Sequence, residues 1–230
     1  MQLEFTQEYW INLLIEFLGE PRKQIEAWVL NADEIMRERA KNTNFANLKE
    51  YQAYYESKEL LCGYIRWHFA LAPDKRKKVT DLIKPNSYIL DHGCGIASQT
   101  YRAVVEKNCK ADIFDISQLI TAFNYFVIYK HHLEDRIKII DWIFFIDKYM
   151  PSEKEKYDYI LSLDVLEHLE DAGFELAELS NFLKKDGKII ARAPFNLIED
   201  KSHLECNYNK NLEDMLKEYI GESRYIIVEV

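Results

Sequence analysis

The chain has 230 residues, of which 48% are hydrophobic and 30% charged, and a formal net charge of −9 at pH 7. That length holds one large domain, or one well-buried domain with an extension, and the composition is globular, not disordered. The acidic balance disfavours a nucleic-acid partner, which calls for a basic stripe. The one dense basic run, Lys75-Arg76-Lys77-Lys78, reads as a solvated helix face. No uninterrupted apolar stretch is long enough to span a bilayer, and Met1 to Phe5 lacks the pattern of a signal peptide. The cysteines Cys62, Cys94, Cys109 and Cys206 make no Cys-x-x-Cys pair, so neither a metal site nor a disulfide framework is expected. Reduced thiols in a cytoplasmic protein are the simple reading.

Residues 1–84 read as a helical extension. Tyr9, Leu13, Leu14 and Phe17 fall at helical spacing until Glu20-Pro21 breaks the run. Ile25, Trp28, Val29 and Ile35 or Met36 give a second amphipathic pattern. A third runs from about Leu48 to Leu71, carrying Tyr51, Tyr54, Tyr55, Tyr64 and Trp67, and Pro73 ends it. From residue 85 to 230 the pattern changes to strands alternating with helices. Short apolar runs at Ser87–Asp91, Asp112–Asp115, Ile137–Asp141, Tyr157–Leu163, Lys188–Ala193 and Tyr225–Val230 predict six strands. Helices are predicted at 98–107, after an N-cap at Ser117, at 171–184 before Lys185-Asp186-Gly187, and at 212–220. The alternation implies an α/β fold with a doubly wound, mostly parallel sheet.

In such sheets ligands lie outside the C-terminal strand ends. Asp91, Asp115 and Asp141 end the first three strands and Asp164 follows the fourth, so four carboxylates line one rim. Glycine is scarce, with 7 in the chain, which makes Gly93 and Gly95 in Asp91-His92-Gly93-Cys94-Gly95 informative. Two glycines permit a tight turn, let backbone N–H groups approach a ligand, and precede the positive end of a helix. Asp115 stands 24 positions after Asp91, near the spacing at which a second-strand acid meets ribose hydroxyls. A dinucleotide site asks for Gly-x-Gly-x-x-Gly. Here Ser98 takes the third position, and Asp91 would repel a pyrophosphate but attract an ammonium. A nucleoside cofactor with an amino-acid moiety fits better than NAD.

These residues resemble class I S-adenosylmethionine-dependent methyltransferases of the small-molecule type. Leu90-Asp-His-Gly-Cys-Gly-Ile-Ala97 is similar to their first motif, Phe114-Asp-Ile-Ser117 to the second-strand motif, and Ile140-Asp-Trp142 to the adenine-contacting element. Tyr157 to His168 resembles the fourth-strand motif, and Leu183 to Ile190 the turn into strand five. The resemblance covers about residues 85–200 and implies a Rossmann-like methyltransferase sheet. It implies that Asp91, Gly93 and Gly95 hold the methionine part of S-adenosylmethionine, and of its product S-adenosylhomocysteine. Asp115 would take the ribose, Ile116 and Trp142 would lie against the adenine, Asp141 would bond its amino group, and Leu163 and Asp164 would line the sulfonium. Two departures stand out. Ala97 replaces a third glycine, and six strands are legible where the family has seven. The sheet edge is then either shortened or completed by a second copy in a homodimer.

Methyl transfer asks the protein mainly for alignment, because the sulfonium is already activated. A base is needed only where the acceptor loses a proton. His168, just past strand four, is the candidate, against a local role at a helix start. His92 lies in the loop, and His203 loosely matches a histidine found after strand five in related enzymes. His131 and His132 read as an exposed helix end. The tyrosines of residues 51–64 are either core or a lid over a small-molecule acceptor. A non-catalytic binding or scaffold subunit of the same fold is the competing reading.

Overall fold

A computed structural model of the chain describes residues 3–43, 45, 48–70, 73–140, 155–195, 203–208 and 210–228. Asp141 and Trp142 lie outside them. The N-terminal part contains α1 (Gln7–Leu18), α2 (Arg22–Leu30), α3 (Ala32–Lys41), α4 (Leu48–Tyr55), α5 (Lys58–Ile65) and α6 (Pro73–Asp81). Thr6 caps α1 by accepting the Tyr9 N–H, and Gly19, at φ +67°, ends it in the left-handed region. The third sequence pattern divides in two at Glu56-Ser57, where the Ser57 hydroxyl caps α5 by accepting the Leu60 N–H. A π-helical turn, Arg66–Ala70, continues α5. Pro73 both stops that run and opens α6, the first-turn position where its missing N–H costs nothing. Lys77 and Lys78 of the basic run are exposed on α6, as expected of a solvated face.

The remaining elements are β1 (Tyr88–His92), α7 (Ser98–Lys107), β2 (Lys110–Phe114), α8 (Gln118–Lys130), β3 (Ile137–Ile139), β4 (Tyr157–Leu163), α9 (Ala172–Ser180), β5 (Leu183–Arg192), α10 (Leu212–Tyr219) and β6 (Tyr225–Ile227). The strands form one six-stranded sheet in the order β3-β2-β1-β4-β5-β6, and every pairing is parallel. Strand order reverses between β1 and β4, so the C-terminal ends of β1, β2 and β4 share one rim. β6 pairs directly with β5. One expectation shifts: α9 stops at Ser180, and β5 already starts at Leu183, taking in Lys185-Asp186-Gly187. Gly187 allows this close approach, because a Cβ there would lie 2.8 Å from the Tyr157 carbonyl oxygen.

One apolar cluster joins the N-terminal helices to the sheet. Trp10, Leu13, Leu14 and Ile25 pack with Ile89, Ile113, Tyr101 and Phe123. Trp10 stacks on Phe69 at 5.3 Å between ring centroids, and Phe17 meets Phe123 edge-on at 5.3 Å. The other face of the sheet packs on α9 and α10 through Leu176, Leu179 and Leu216. His131 is not a free helix end, since its Nε2 bonds the Tyr9 hydroxyl at 2.9 Å and ties α8 to α1.

Away from the rim, Asp112 is wholly buried in β2. It accepts hydrogen bonds from the Tyr88 hydroxyl at 2.9 Å, the Tyr157 hydroxyl at 2.7 Å and the Lys156 ammonium at 2.7 Å. Removing the carboxylate takes the charge partner from a mostly buried ammonium. Asp112→Ala is therefore expected to lower unfolding free energy by about 3–5 kcal/mol in urea titrations. The apparent ligand affinity of the rim in the folded fraction should stay unchanged.

Candidate active site

The rim is built from three turns. After β1, Gly93 and Gly95 take φ +65° and +50°, and Ala97 takes φ +49° before α7 begins. A side chain at Gly93 would strike Val165, with its Cβ 2.5 Å from Cγ2. One at Gly95 would strike the Tyr64 ring at 2.7 Å. The turn therefore needs glycine for two reasons, its left-handed backbone and the closeness of its neighbours. Ala97 holds a conformation that glycine adopts without strain, which accounts for the glycine expected there.

Asp115, one residue past β2, binds that turn to its own. Its Oδ2 accepts the Gly95 N–H at 2.9 Å and its Oδ1 the Ser117 N–H at 3.0 Å. Burial pushes its pKa up to about 6, against the opposing pull of those two amides. Asn124 on α8 donates to the Gly95 carbonyl at 2.8 Å, and the Tyr101 hydroxyl donates to Asn124 Oδ1 at 3.0 Å. The start of α8 is capped twice. The Ser117 hydroxyl accepts the Ile120 N–H, and the Glu56 carboxylate accepts the N–H groups of Gln118 and Leu119. Glu56 belongs to the α4–α5 connection, so the N-terminal helices are pinned at this corner.

The third turn follows β4. Asp164 has φ +61°, an uncommon value for a non-glycine residue and one found at sites under local strain. The Arg192 guanidinium at the end of β5 donates to both of its carboxylate oxygens, 2.6 Å to Oδ1. The next residues form a single 3-10 turn, Leu166–His168. Asn207 clamps it by donating to the carbonyls of Glu167 at 3.1 Å and Leu169 at 2.7 Å.

Together the turns enclose a pocket of about 120 Å³. Gly93, Asp115, Ile116, Asp164 and His168 line it, with Tyr51, Tyr55 and Tyr64 as its other wall. Of the residues expected at the site, these come together. Asp91 does not reach the lining: it is buried beneath the loop, and its Oδ2 accepts the Thr100 hydroxyl at 2.6 Å. Leu163 is half-buried at the end of β4 beside the lining, and Gly95 lies under Tyr64. Asp141 and Trp142 fall outside the described residues. Burial pushes the Tyr55 and Tyr64 hydroxyls well above their usual range, so both are neutral donors.

His92 has more to it than loop packing. Its Nε2 pairs with Glu175 on α9 at 3.0 Å, and its Nδ1 bonds the Ser162 hydroxyl of β4 at 3.1 Å. Sequence offers no signal for this pairing, because Glu175 and Glu178 are alike as acids on that helix. Arg192 and Asn207 are likewise invisible before folding.

A family model described as a methyltransferase domain matches residues 64–217. The chain belongs to that family. No curated protein matches it. Two solved structures of phosphoethanolamine N-methyltransferase 2 from Haemonchus contortus are similar in fold. One, in complex with phosphomonomethylethanolamine and S-adenosylhomocysteine, has a TM-score of 0.57 at 17% identity and covers 77% of this chain and 44% of that one. The other, in complex with S-adenosyl-L-methionine, has a TM-score of 0.56 at 16% identity and covers 74% and 43%. A geranyl diphosphate methyltransferase with sinefungin bound has a TM-score of 0.46 at 18% identity, covering 57% and 47%. The chain spans less than half the length of each of these proteins.

The contact of Tyr64 with Gly95 is open to a direct check. Gly95→Ala should destabilise the protein by about 1–3 kcal/mol, through backbone strain and overpacking. In a double-mutant cycle with Tyr64→Ala, the combined loss should be smaller than the sum of the single losses. Strict additivity would mean that the ring does not press on the loop.

Proposed function

We propose that the chain is an S-adenosylmethionine-dependent methyltransferase acting on a small molecule. The observation that carries this is the Asp115 carboxylate next to two left-handed glycines, facing a tyrosine-walled pocket at the strand-order reversal. The residues present suit the cofactor. The glycine turn is a cradle that a Cβ would fill, and Asp115 provides an acceptor for ribose hydroxyls. Ile116 offers an apolar face for an adenine, and the ring of Tyr64 sits over the loop where a sulfonium gains from an aromatic face. Asp91 supports the turn from below through Thr100, and Asp164, paired with Arg192, stands in the pocket wall. When bound, S-adenosylmethionine supplies a methyl group already activated on sulfur. The protein's part is alignment and the exclusion of water. A pocket of about 120 Å³ is below the 300–1,000 Å³ typical of ligand sites, so loading a nucleoside cofactor requires side chains of the tyrosine wall to shift. The same reading places the protein in the cytoplasm, in keeping with Cys62, Cys94 and Cys109 as buried free thiols.

On the acceptor side His168 lines the pocket, with Tyr51 and Tyr55 each 6.4 Å from its ring centroid. It is the residue positioned to promote loss of a proton from the acceptor as the methyl group arrives. Calorimetry with S-adenosylhomocysteine tests the cofactor assignment; no heat from folded protein at millimolar ligand would sink it. His168→Ala should keep that affinity. Transfer of label from methyl-labelled cofactor to acceptors in a cell extract should meanwhile fall about 10²–10⁴-fold.

The pH dependence follows from Asp115. Ribose hydroxyls donate to the ionised carboxylate, so binding favours the form present above pH 6. Affinity for S-adenosylhomocysteine should be level at pH 7–8 and fall as pH drops through about 6, approaching tenfold per unit. Asp115→Asn should weaken binding and flatten that slope.

A further inference from the structure

We propose that Glu167, His168 and His203 form a binding site for a divalent transition-metal ion, of the Zn²⁺ or Fe²⁺ class, at the acceptor wall of the pocket. Among the described residues, these three bring one ligand atom each to within 4.8 Å of the others. Glu167 Oε1 and His203 Nε2 are 4.0 Å apart, and the rings of His168 and His203 meet at 4.9 Å between centroids. Ligands at about 2.0–2.2 Å from an ion leave donor atoms roughly 3–3.5 Å apart. Side-chain rotations that close the triad by up to about 1.5 Å would complete the site. Two imidazoles and one carboxylate are the donor set of open-sided Zn²⁺ and Fe²⁺ centres, with positions left for a further ligand.

The setting favours a built site over a chance cluster. Glu167 and His203 are 1% and 6% exposed, while His168 opens onto the pocket. The backbone is fixed on both sides. Asn207 holds the 3-10 turn through its carbonyls, and the Leu204 N–H donates to the Glu167 carbonyl at 3.1 Å, which registers His203 against Glu167. Preorganised backbone of this kind is what a metal site requires of its outer shell. An ion here would present its open positions to the pocket, where an acceptor oxygen or nitrogen could bind. His168 would then promote loss of the acceptor proton by holding a Lewis acid, not through its own lone pair.

The inference rests on the methyltransferase reading only for the identity of the acceptor; the ion site is testable without it. Full-length protein stripped with a chelator is titrated with ZnCl₂ by calorimetry and with CoCl₂ by visible absorption. One equivalent should bind at micromolar or tighter affinity, with a cobalt spectrum of a nitrogen-containing site. Glu167→Gln and His203→Ala should each weaken binding at least tenfold. Because those two buried substitutions risk unfolding, half-buried His168→Gln is the third variant and should show the same loss. No binding to the stripped protein, or equal binding by folded variants, would overturn the site and leave an ion pair only. Binding of S-adenosylhomocysteine to the stripped protein is measured alongside. Cofactor bound with no metal defeats the ion site alone, and metal bound with no cofactor defeats the methyltransferase reading alone.

Discussion

The site depends on where Asp115 puts its charge. A buried carboxylate is costly unless hydrogen-bonded, and here the compensation comes from backbone. Gly95 N–H and Ser117 N–H converge on its two oxygens, so one side chain fixes the turn after β1 and the turn after β2 in a single geometry. Each turn also serves its helix. The first leads into α7 through Ala97, and the second ends at the Ser117 cap of α8. The compensation is incomplete, as the pKa raised to about 6 records. Glu56 adds to the strain, since its charge beside Asp115 pushes in the same direction. A group in this state gains from any ligand that brings new hydrogen-bond donors to it.

The same corner explains why the N-terminal helices are not a detachable lid. Glu56 caps α8, Ser117 donates to the Tyr55 carbonyl, and Tyr64 fills the space that Gly95 leaves. Trp10 and Leu14 meanwhile share the core with Phe123 and Tyr101. α5 shares that core through Leu61, Cys62 and Ile65, so the wall that carries Tyr64 is held by the same packing as α1. A π-helical turn carries a strained hydrogen-bond register and often marks functional sites. Here Trp67 and Arg66, within that turn, both donate to Asp33 of α3, which ties the turn to the preceding helices.

What could be read from sequence was what depends on local pattern. β1, β2 and β4 are short apolar runs followed by an acid, and the buried parallel sheet leaves them no other register. Gly93, Gly95 and Asp115 were legible because each stands in the turn just past a strand, and His168 because it closes the short segment that follows β4. The limit of α9 was not, because Phe182 and Leu183 continue an apolar pattern that suits helix or strand equally. Only pairing with β4 decides between them. Nor were the partners of His92 and Asp164, since Glu175 and Arg192 are fixed by tertiary packing across distances of 83 and 28 residues. Pro73 was read as an end and serves as a beginning as well, an ambiguity built into proline chemistry.

That contrast separates the two halves of the pocket. The half that the proposed function assigns to the cofactor is made of consecutive residues around β1 and β2, so its chemistry is written in short motifs. The acceptor half is assembled from distant pieces: tyrosines from α4 and α5, the turn after β4, and the segment from His203 to Asn207. Its geometry is set by backbone clamps such as Asn207 on Glu167 and Leu169, which place side chains without specifying them. On the proposed function, such a construction would change its acceptor through Tyr51, Tyr55 or His203 while Asp115 and the glycine turn stay as they are. Specificity then belongs to the residues that carry the least local signal, and the shared fold says least about them.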